Sequence, residues 1–419
     1  MFKKILIANR GEIAVRLIRA AHDMDIESVA VFALDDAQAL HCQLAGAAVS
    51  LQDSGPGAYL NSAKILAIAK EQHCDAIHPG YGFLSERADF AQACADAGIT
   101  FIGPAASHLQ LFGDKASARQ LALACGVPLM PGIDQAVSLA QAQAFFQSQN
   151  GAGVMIKAIG GGGGRGMRAV FQLEDLPEAY TRCVSEARAA FGVDGVYVER
   201  LMLRARHVEI QVLADGETAM SLGDRECSLQ RRFQKVIEIA PSPSISAQMR
   251  TALTQAALKM ARHCDFRSLG TFEFLVDTQA SDLPWVFIEA NPRLQVEHTV
   301  TEAVFGLDLV AIQVHRCCSK NVHLLSHSSP QLQLSIFQRS LDHPDLAQVA
   351  SSVARGCAIQ ARVSLERVLD RATGTVAASG GRISAFDLPS GPGVIKRQRV
   401  LKALFPPQHV LSSRLPRAG

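Results

Sequence analysis

The chain has 419 residues, of which 48% are hydrophobic and 19% are charged, and its formal net charge is +2. This length can form two or three domains with sizeable cores, and the composition excludes an intrinsically disordered chain. A charge so close to zero gives no electrostatic reason to expect a nucleic acid as a partner. No stretch approaches the roughly 20 consecutive apolar residues of a membrane span, so no membrane association is expected.

Ten cysteines are distributed along the chain without a Cys-x-x-Cys pair. We expect reduced thiols, as in cytoplasmic proteins, rather than a disulfide framework or a zinc site. Met1 to Asn9 lead directly into a strand pattern and lack the apolar core and cleavage site of a signal peptide. The expected location is therefore the cytoplasm.

Residues 1 to about 112 alternate between strand and helix patterns. Short apolar runs begin at Lys4, Ser28 and Ala76, and amphipathic stretches separate them. This alternation predicts an open parallel sheet with helices, which is an α/β domain. Within it, we expect Ser85 to cap the helix that runs through Ala97.

A glycine run at 160–164 lies between two strand patterns, Val154 to Ile159 and Met167 to Phe171. A helix would follow a dinucleotide-binding glycine motif, so we interpret this run as the tip of a hairpin. Its backbone N–H groups can close over phosphates because no Cβ atom blocks the approach. A flexible linker is the alternative, but Lys157 and Arg165 beside the run favour a phosphate contact.

The segment 206–213 alternates between apolar and polar side chains, which predicts a half-buried strand. Its polar side carries three groups: His207, Glu209 and Gln211. The next segment, 224–235, is dense in charge, and we expect most of it to be a solvated loop. Lys235 is the exception, because uncharged residues follow it into the fold.

The stretch from Phe287 to His298 begins as an apolar strand and then concentrates ionisable residues. Strict alternation places Glu289 and Asn291 on the same side of that strand as Trp285 and Phe287. A strand built only for packing does not need a carboxylate and an amide at this spacing. The stretch is therefore a candidate binding site.

The preceding strand pattern, 270–277, carries Glu273 on its polar side, and the polar stretch between the two strands predicts an antiparallel pair. Glu273 then faces Glu289 and Asn291. Two carboxylates and an amide oxygen suit Mg²⁺ or Mn²⁺. Carboxylates about 5 Å apart repel by roughly 3 kcal/mol at an effective dielectric constant of about 20, and a metal–nucleotide complex would remove that repulsion. A solvated hairpin is the alternative, which the apolar neighbours disfavour.

Five segments share a pattern that extends beyond this site: 7–14 (IANRGEIA), 78–86 (HPGYGFLSE), 157–168 (KAIGGGGGRGMR), 206–215 (RHVEIQVLAD) and 291–298 (NPRLQVEH). Together they resemble the biotin carboxylase family, the ATP-grasp component of biotin-dependent carboxylases. The resemblance covers residues 1 to about 315 almost continuously and resumes from Gly356 to Val394. Its most specific part is 293–298, because other ATP-grasp ligases share the metal carboxylates but not this run.

The resemblance implies a fold of mixed α/β and α+β class in three parts. Residues 1–112 would form a Rossmann-like N-terminal domain with an open parallel sheet. Residues 113–316 would form a central ATP-grasp domain, with a glycine-rich lid at about 130–203. Residues 317–419 would form a partial C-terminal biotin carboxylase domain.

The resemblance also implies the roles of individual residues. The nucleotide contacts would be Lys115, Lys157, His207 and Gln230, with Gly163 and Gly164 in the lid and Glu199, Arg200, Leu201 and Met202 at the adenine hinge. The metal ligands would be Glu273, Glu289 and Asn291, of which the two glutamates also belong to the nucleotide site. The bicarbonate site would comprise Lys235, Arg293, Gln295, Val296 and Glu297, and Arg362 would meet biotin.

The chemistry implied by the family has two halves. Bicarbonate attacks the γ-phosphate of ATP, with Glu297 as base and Arg293 holding the anion, and gives carboxyphosphate and ADP. Carboxyphosphate then yields CO₂ and phosphate, and the phosphate removes the N1 proton of biotin. The biotin enolate, stabilised by Arg293 and Arg362, takes the CO₂. Lys235 completes the catalytic set.

The cofactors implied are ATP, Mg²⁺ or Mn²⁺, and biotin on a separate carrier protein. The partners implied are a biotin carboxyl carrier protein and carboxyltransferase subunits, and the chain is expected to form a homodimer. An acetyl-CoA carboxylase of fatty acid biosynthesis is one setting for such a component. The sequence does not name the final acyl acceptor.

Three features depart from the family pattern. Phe233 stands where much of the family has histidine, 317–353 matches poorly, and the sequence after Val394 does not continue as the family does. We interpret the C-terminal departure as a truncated or altered C-terminus. Two alternatives to an active biotin carboxylase stay open: a non-catalytic ATP-binding remnant or regulatory subunit, and an ATP-grasp ligase of the carbamoyl-phosphate type.

Overall fold

A computed structural model of the chain describes residues 1–133, 135–149, 151–159, 166–191, 195–231, 234–278, 283–318, 354–363, 366–370 and 375–378. These residues form two compact units. Unit 1 comprises Met1–Gly103 with the described parts of Val310–Lys320 and Val363–Gly419. Unit 2 comprises Pro104–Leu309 with the described part of Asn321–Arg362.

Five strands of unit 1 form a parallel sheet. In chain order they are β1 (Lys4–Ile7), β2 (Glu27–Phe32), β3 (Ala47–Ser50), β4 (Ala76–His78) and β5 (Thr100–Phe101). Their order in the sheet is β3-β2-β1-β4-β5. The helices among them are α1 (Gly11–Asp23), α2 (Leu40–Leu44), α3 (Ser62–Glu71) and α4 (Ala88–Asp96). The predicted open parallel sheet is confirmed, and its central strands are buried, as is usual for parallel sheets.

The predicted cap at Ser85 is wrong. Helix α4 begins at Ala88, and its N-cap residue, Arg87, makes no hydrogen bond through its side chain. Ser85 instead lies buried in a turn in which its backbone N–H donates to the carbonyl of Gly82. The turn occupies the residues that a helix starting after Ser85 would need.

A buried polar cluster holds together the loops above the parallel sheet. The Arg10 guanidinium donates to both carboxylate oxygens of Asp36, each at 2.6 Å. The Tyr59 hydroxyl donates to Asp36 at 2.8 Å and accepts from the backbone N–H of Ala33 at 3.1 Å. Each buried group in this cluster therefore has a partner, which the interior requires.

Unit 2 contains a small antiparallel sheet beneath two helices. Its strands are β6 (Gly132–Ile133), β7 (Val154–Ala158), β8 (Met167–Val170) and β9 (Val196–Arg200), in the order β6-β9-β7-β8. The helices of unit 2 that precede or pack on this sheet are α5 (Ala106–Gly113), α6 (Lys115–Ala124), α7 (Leu139–Ser148) and α8 (Leu176–Phe191). The predicted pairing of the two strands around the glycine run is confirmed, whereas the run itself, 160–164, lies outside the described residues.

A six-stranded sheet forms the main body of unit 2. Its strands are β10 (Ala205–Asp215), β11 (Ala219–Arg231), β12 (Gln234–Ala240), β13 (Arg267–Asp277), β14 (Trp285–Asn291) and β15 (Ala358–Ala361), in the order β14-β13-β10-β11-β12-β15. The remaining helices of unit 2 are α9 (Ala247–His263) and α10 (His298–Phe305). Helix α11 (Leu309–Cys318) belongs almost entirely to unit 1, which also contains a hairpin of β16 (Glu366–Asp370) and β17 (Thr375–Ala378). Among the described helices, none is both long and apolar enough to cross a lipid bilayer.

One face of the six-stranded sheet is an aromatic core and the other is polar. The predicted alternation of β10 is confirmed, since Val208, Ile210 and Val212 lie in the core cluster. The cluster includes Phe272 and Phe274 from β13 and is packed with edge-to-face aromatic contacts. Side chains at the intervening positions of β10 and β13 are thereby directed to the opposite face.

The pairing of β13 with β14 contains one extra residue on β14. Glu273 pairs with Glu289, but Phe274 pairs with Phe287, so Ile288 has no counterpart. This bulge reverses the alternation, and Phe287 joins the core while Glu289 faces the polar side. The prediction that Phe287 and Glu289 share a side is therefore wrong, and the predicted pairing of Glu273 with Glu289 is confirmed.

Replacing Tyr59 by phenylalanine should lower the free energy of unfolding by about 1–3 kcal/mol, because the backbone N–H of Ala33 then lies buried without an acceptor. Urea denaturation measures this loss. Tyr180→Phe is the control. The Tyr180 hydroxyl is only partly buried, and it donates a hydrogen bond to the carbonyl of Val137 that water can replace. Equal losses from the two substitutions would contradict the role of the cluster.

Candidate functional site

The polar face of the six-stranded sheet gathers ionisable and amide side chains from neighbouring strands. Strand by strand these are His207 and Glu209 on β10, Arg225 on β11, Lys235 and Glu238 on β12, Glu273 on β13, and Glu289 and Asn291 on β14. Most of them are buried. A buried charge is tolerated only when it is paired or bound to a metal, so their contacts determine what the site can hold.

Lys235 lies at the centre of three carboxylates. Its Nζ contacts Glu209 Oε1, Glu273 Oε1 at 3.1 Å and Glu297 Oε1 at 2.7 Å. Burial alone would lower the pKa of Lys235, but the three carboxylates raise it well above its ordinary value. Lys235 is therefore a fixed cation, and the prediction that it is not a solvated loop residue is confirmed.

Glu297 lies just before α10 and is shared by two cations. Besides Lys235, the Nη2 of Arg362 donates to Glu297 Oε2 at 2.9 Å. Burial would raise the pKa of Glu297, but Lys235, Arg362 and Arg225 lower it to about 2. The carboxylate is consequently ionised at neutral pH, which is the form that can accept a proton.

His207 and Gln230 form a chain that ends on Glu273. The Nε2 of Gln230 contacts Nδ1 of His207 at 2.7 Å, and Nε2 of His207 contacts Glu273 Oε2 at 2.6 Å. Burial opposes protonation, but the Glu273 carboxylate raises the pKa of His207. The structure thus places both predicted nucleotide contacts next to the predicted metal ligands.

Glu273 and Glu289 supply a donor set that fits a hard divalent cation. They pair across the strands, and Asn291 Nδ2 donates to Glu273 at 2.7 Å and to Glu289 at 3.4 Å. Burial and the charge of Glu273 raise the pKa of Glu289, so this pair carries excess negative charge that a cation would offset. The Oδ1 of Asn291 accepts from Arg293 at 3.1 Å, and the amide would have to turn over to offer that oxygen to a metal.

Two lysines face one aromatic ring beside this carboxylate pair. Lys115 Nζ and Lys157 Nζ lie 5.9 Å and 6.0 Å from the ring centroid of Tyr197. Lys157 also pairs with Glu199, and burial lowers the pKa of Lys115. The charge of Glu289 acts on both lysines. Two cations next to a metal-type site form a place suited to a polyphosphate.

The predicted adenine hinge connects the small sheet of unit 2 to β10. Glu199 and Arg200 end β9, and Leu201 and Met202 follow it. The backbone N–H of Leu201 donates to the carbonyl of Gly153 at 2.8 Å, which fixes the start of this connection. The two predicted lid glycines, Gly163 and Gly164, lie outside the described residues.

The loop after β14 carries the other predicted bicarbonate ligands. The Arg293 guanidinium donates to Asn291 Oδ1 and, at 3.2 Å, to the carbonyl of Leu294. Gln295 Nε2 donates to Glu273 Oε1 at 3.0 Å. Val296 lies between Gln295 and Glu297, so its backbone belongs to the same loop.

Arg225 is a functional candidate that the sequence interpretation missed. Its fully buried guanidinium donates to five side chains, which are Glu209, Gln211, Thr271, Gln295 and Thr301, at 2.8–3.1 Å. The predicted solvated loop at 224–235 is wrong, because these residues lie largely in β11 and β12. High charge density usually indicates solvent exposure, and here it instead reflects a buried network.

Arg362 follows β15 and reaches the cluster from the edge of the sheet. Its Nε lies 2.5 Å from Glu238 Oε1, in addition to its bond to Glu297. The predicted biotin contact therefore adjoins the predicted base. The arginine is about one-third exposed, with its side chain at 32% relative accessibility, so a ligand can reach it.

Two protein-family models match the chain in succession. The biotin carboxylase N-terminal domain matches residues 1–109. The ATP-binding domain of the carbamoyl-phosphate synthase L chain matches residues 114–323. The matches therefore cover the parallel sheet of unit 1 and nearly all of the site described above.

Known carboxylases and biotin carboxylase domains are similar to this chain in sequence and in structure. Human mitochondrial pyruvate carboxylase is 42% identical over 399 residues, which is 94% of this chain and 31% of that protein. The biotin carboxylase domain of a single-chain bacterial carboxylase is 42% identical with a TM-score of 0.75, over 93% of this chain and 78% of that one. The biotin carboxylase domain of Hydrogenobacter thermophilus 2-oxoglutarate carboxylase, solved with MgADP and bicarbonate, is 36% identical with a TM-score of 0.77, over 89% and 76%.

The chain thus spans 31% of the length of the human relative, and its similarity to separately solved biotin carboxylase domains extends over most of their length. The matched family, the fold and the clustered charges agree with one another. The chain belongs to the biotin carboxylase family, whose members are ATP-dependent ligases that use bicarbonate to carboxylate biotin.

Proposed function

We propose that this chain carboxylates biotin, presented on a separate carrier protein, with bicarbonate and ATP. The observation that carries the proposal is the Glu297 carboxylate, which Lys235 contacts at 2.7 Å and Arg362 at 2.9 Å. One ionised base is thus held between two cations, beside a carboxylate pair of the kind that binds Mg²⁺. Such a set of groups suits a small anion that must be deprotonated and attack a phosphoryl group.

The nucleotide is proposed to bind next to Glu289, where Lys115 and Lys157 lie. Lys115 and Lys157 would contact phosphates, with Glu199 to Met202 at the adenine and Gly163 and Gly164 over the phosphates. The charge of Glu289 acts on both lysines, which supports their predicted roles. Positioning and charge stabilisation account for most of the rate enhancement in phosphoryl transfer.

Glu273, Glu289 and Asn291 would hold Mg²⁺ or Mn²⁺. When bound, the cation supplies charge neutralisation for the phosphate oxygens. His207 and Gln230 orient Glu273 through the hydrogen-bonded chain described above. The nucleotide role of these two residues therefore includes holding a metal ligand in place.

Bicarbonate would lie among Lys235, Arg293, Gln295, the backbone of Val296 and Glu297. Glu297 takes the bicarbonate proton, and a bicarbonate oxygen forms a bond to the γ-phosphorus as the bond to ADP breaks. Carboxyphosphate then separates into CO₂ and phosphate. The phosphate accepts the N1 proton of biotin. Arg362, with Arg293, stabilises the enolate that attacks CO₂.

The wider assembly is also a proposal. The chain would act as a homodimer in the cytoplasm, and the Hydrogenobacter thermophilus domain, which was solved as a dimer, supports the first part. The domain limits are proposed at 1–112, 113–316 and 317–419. A biotin carboxyl carrier protein and a carboxyltransferase would complete the reaction. Acetyl-CoA, as in fatty acid biosynthesis, and pyruvate are the acceptors to test, and the choice between them belongs to the carboxyltransferase.

The release of ADP with and without bicarbonate and free biotin tests the proposed function. We expect release to require bicarbonate and to increase with biotin. Nucleotide binding without turnover would instead indicate a non-catalytic subunit. Release that needs bicarbonate but ignores biotin would indicate a carbamoyl-phosphate-type ligase. The match of residues 1–109 to the biotin carboxylase N-terminal domain disfavours both alternatives.

Glu297→Gln and Arg293→Ala should each lower bicarbonate-dependent turnover by about 10²-fold or more, because the first removes the base and the second a cation that holds the anion. Steady-state ADP release measures both effects. The exposed Glu217→Gln serves as a control and should leave turnover unchanged. Near-normal turnover in either site variant would refute the assigned role.

Glu289→Gln should weaken metal binding without lowering the stability of the metal-free protein. In the presence of EDTA its thermal stability should equal or exceed that of the unmodified protein, because a buried carboxylate beside Glu273 is lost. Its affinity for the magnesium–nucleotide complex, measured by calorimetry, should fall by about tenfold or more. The control, Glu226→Gln, should lose stability without losing affinity, since Glu226 accepts bonds from Arg206 and Ser242. Lower metal-free stability of Glu289→Gln would contradict the metal assignment.

Arg225→Met should lower the free energy of unfolding by about 3–5 kcal/mol, because it leaves buried acceptors without their donor. Arg225→Lys should recover only part of this loss, since an ammonium group cannot reproduce the fork of the guanidinium. Chemical denaturation distinguishes the two variants. Arg182→Met is the control, because the Arg182 pair with Glu178 is more than half exposed on both sides and its loss should cost about 1 kcal/mol or less. An Arg225→Met protein of normal stability would show that the network is dispensable.

A further inference from the structure

Glu238 is a buried glutamate that the mechanism above does not use. It lies on β12 with 0% relative accessibility. Its Oε1 forms a close ion pair with Nε of Arg362 at 2.5 Å, although the N–H does not point at the oxygen as in an aligned hydrogen bond. Its Oε2 accepts from Nε2 of Gln360 at 3.2 Å. Burial raises the pKa of the Glu238 carboxyl, and the Arg362 guanidinium opposes that rise.

Arg362 is therefore held by two carboxylates at once. Glu238 contacts its Nε, and Glu297 contacts its Nη2 at 2.9 Å. These are different ends of the planar guanidinium. Glu297 has a second cation, Lys235, at 2.7 Å, so it stays paired if Arg362 leaves it. Glu238 has no second cation among the contacts of the described residues.

The backbone of Arg362 is fixed to the sheet, since its N–H donates to the carbonyl of Val236 at 2.8 Å. Arg362 lies directly after β15, a short edge strand that pairs with β12 so that Gln360 faces Glu238. The hydroxyl of Thr299 donates to the side-chain oxygen of Gln360, which fixes the amide next to Glu238. The long, partly exposed arginine would otherwise sample several rotamers.

We propose that Glu238 is a positioning residue that holds Arg362 in the orientation that receives the biotin ring. This inference rests on the proposed function. When biotin approaches, the Nη2 of Arg362 turns from Glu297 to the ring oxygen, while Nε remains on Glu238. Glu297 keeps its contact with Lys235 during this movement, so it stays paired. Glu238 touches neither bicarbonate nor nucleotide in this arrangement.

Glu238→Gln tests the proposal because it keeps the shape of the side chain and removes its charge. Bicarbonate-dependent ADP release without biotin should stay within about twofold of the unmodified protein, whereas the apparent KM for free biotin should rise by about tenfold. A thermal melt confirms that the variant is folded. An unchanged KM for biotin would overturn the proposal, and so would equal losses in both readouts, which a merely structural role would produce.

A double variant tests whether Glu238 acts through the arginine. Arg362→Met should itself impair the biotin response, and adding Glu238→Gln to it should cause no further loss. A further loss of the same size as in the single variant would overturn the proposal. Glu226→Gln is the matched control, since Glu226 is likewise buried on a neighbouring strand and paired with an arginine, and the ratio of the two readouts should not change. Absence of bicarbonate-dependent release in the unmodified protein would count against the proposed function instead.

Discussion

The ammonium group of Lys235 is the charge on which the polar face of the main sheet depends. It contacts carboxylates from β10, from β13 and from the loop after β14, so one cation joins three separate segments. Buried carboxylates without a counterion would cost several kcal/mol each or take up protons. Because Lys235 lies between them, Glu273 and Glu297 keep lowered pKa values inside the protein. The ionised state of the site is thus built into the fold.

The proposed ligands divide the charges of the polar face into two groups. Lys115 and Lys157 lie near Glu289 at one end, where a polyphosphate and a divalent cation would balance each other. Lys235 and Arg362 lie at the other end, where the proposed ligands are bicarbonate and the ring of biotin. Arg225 lies beneath both and ties the underlying carboxylate and amide side chains together without reaching solvent. Two ligand regions with a shared buried arginine explain why so many charged residues occur on one face of the sheet.

Much of this arrangement follows from side-chain alternation, and the failures have identifiable physical causes. The pattern of β10 predicted its two faces because one face packs against aromatic side chains. The side of Glu289 relative to Phe287 was mispredicted because the bulge at Ile288 adds a residue, and no composition signal marks such a bulge. Arg225 was missed because charge density alone does not distinguish solvated from mutually paired side chains. The roles of individual ligands came from the resemblance to the family, and most of their contacts came only from the structure.

The central claim is that bicarbonate, activated between Lys235 and Glu297, is the nucleophile that attacks ATP. Transfer of ¹⁸O from labelled bicarbonate tests it most directly, because the attacking oxygen stays on phosphorus when carboxyphosphate separates into CO₂ and phosphate. Mass spectrometry of the phosphate released should show one bicarbonate-derived ¹⁸O atom in each molecule, after correction for exchange of bicarbonate with water. The account would be contradicted if the oxygen added to the phosphoryl group came from water, because water would then be the nucleophile.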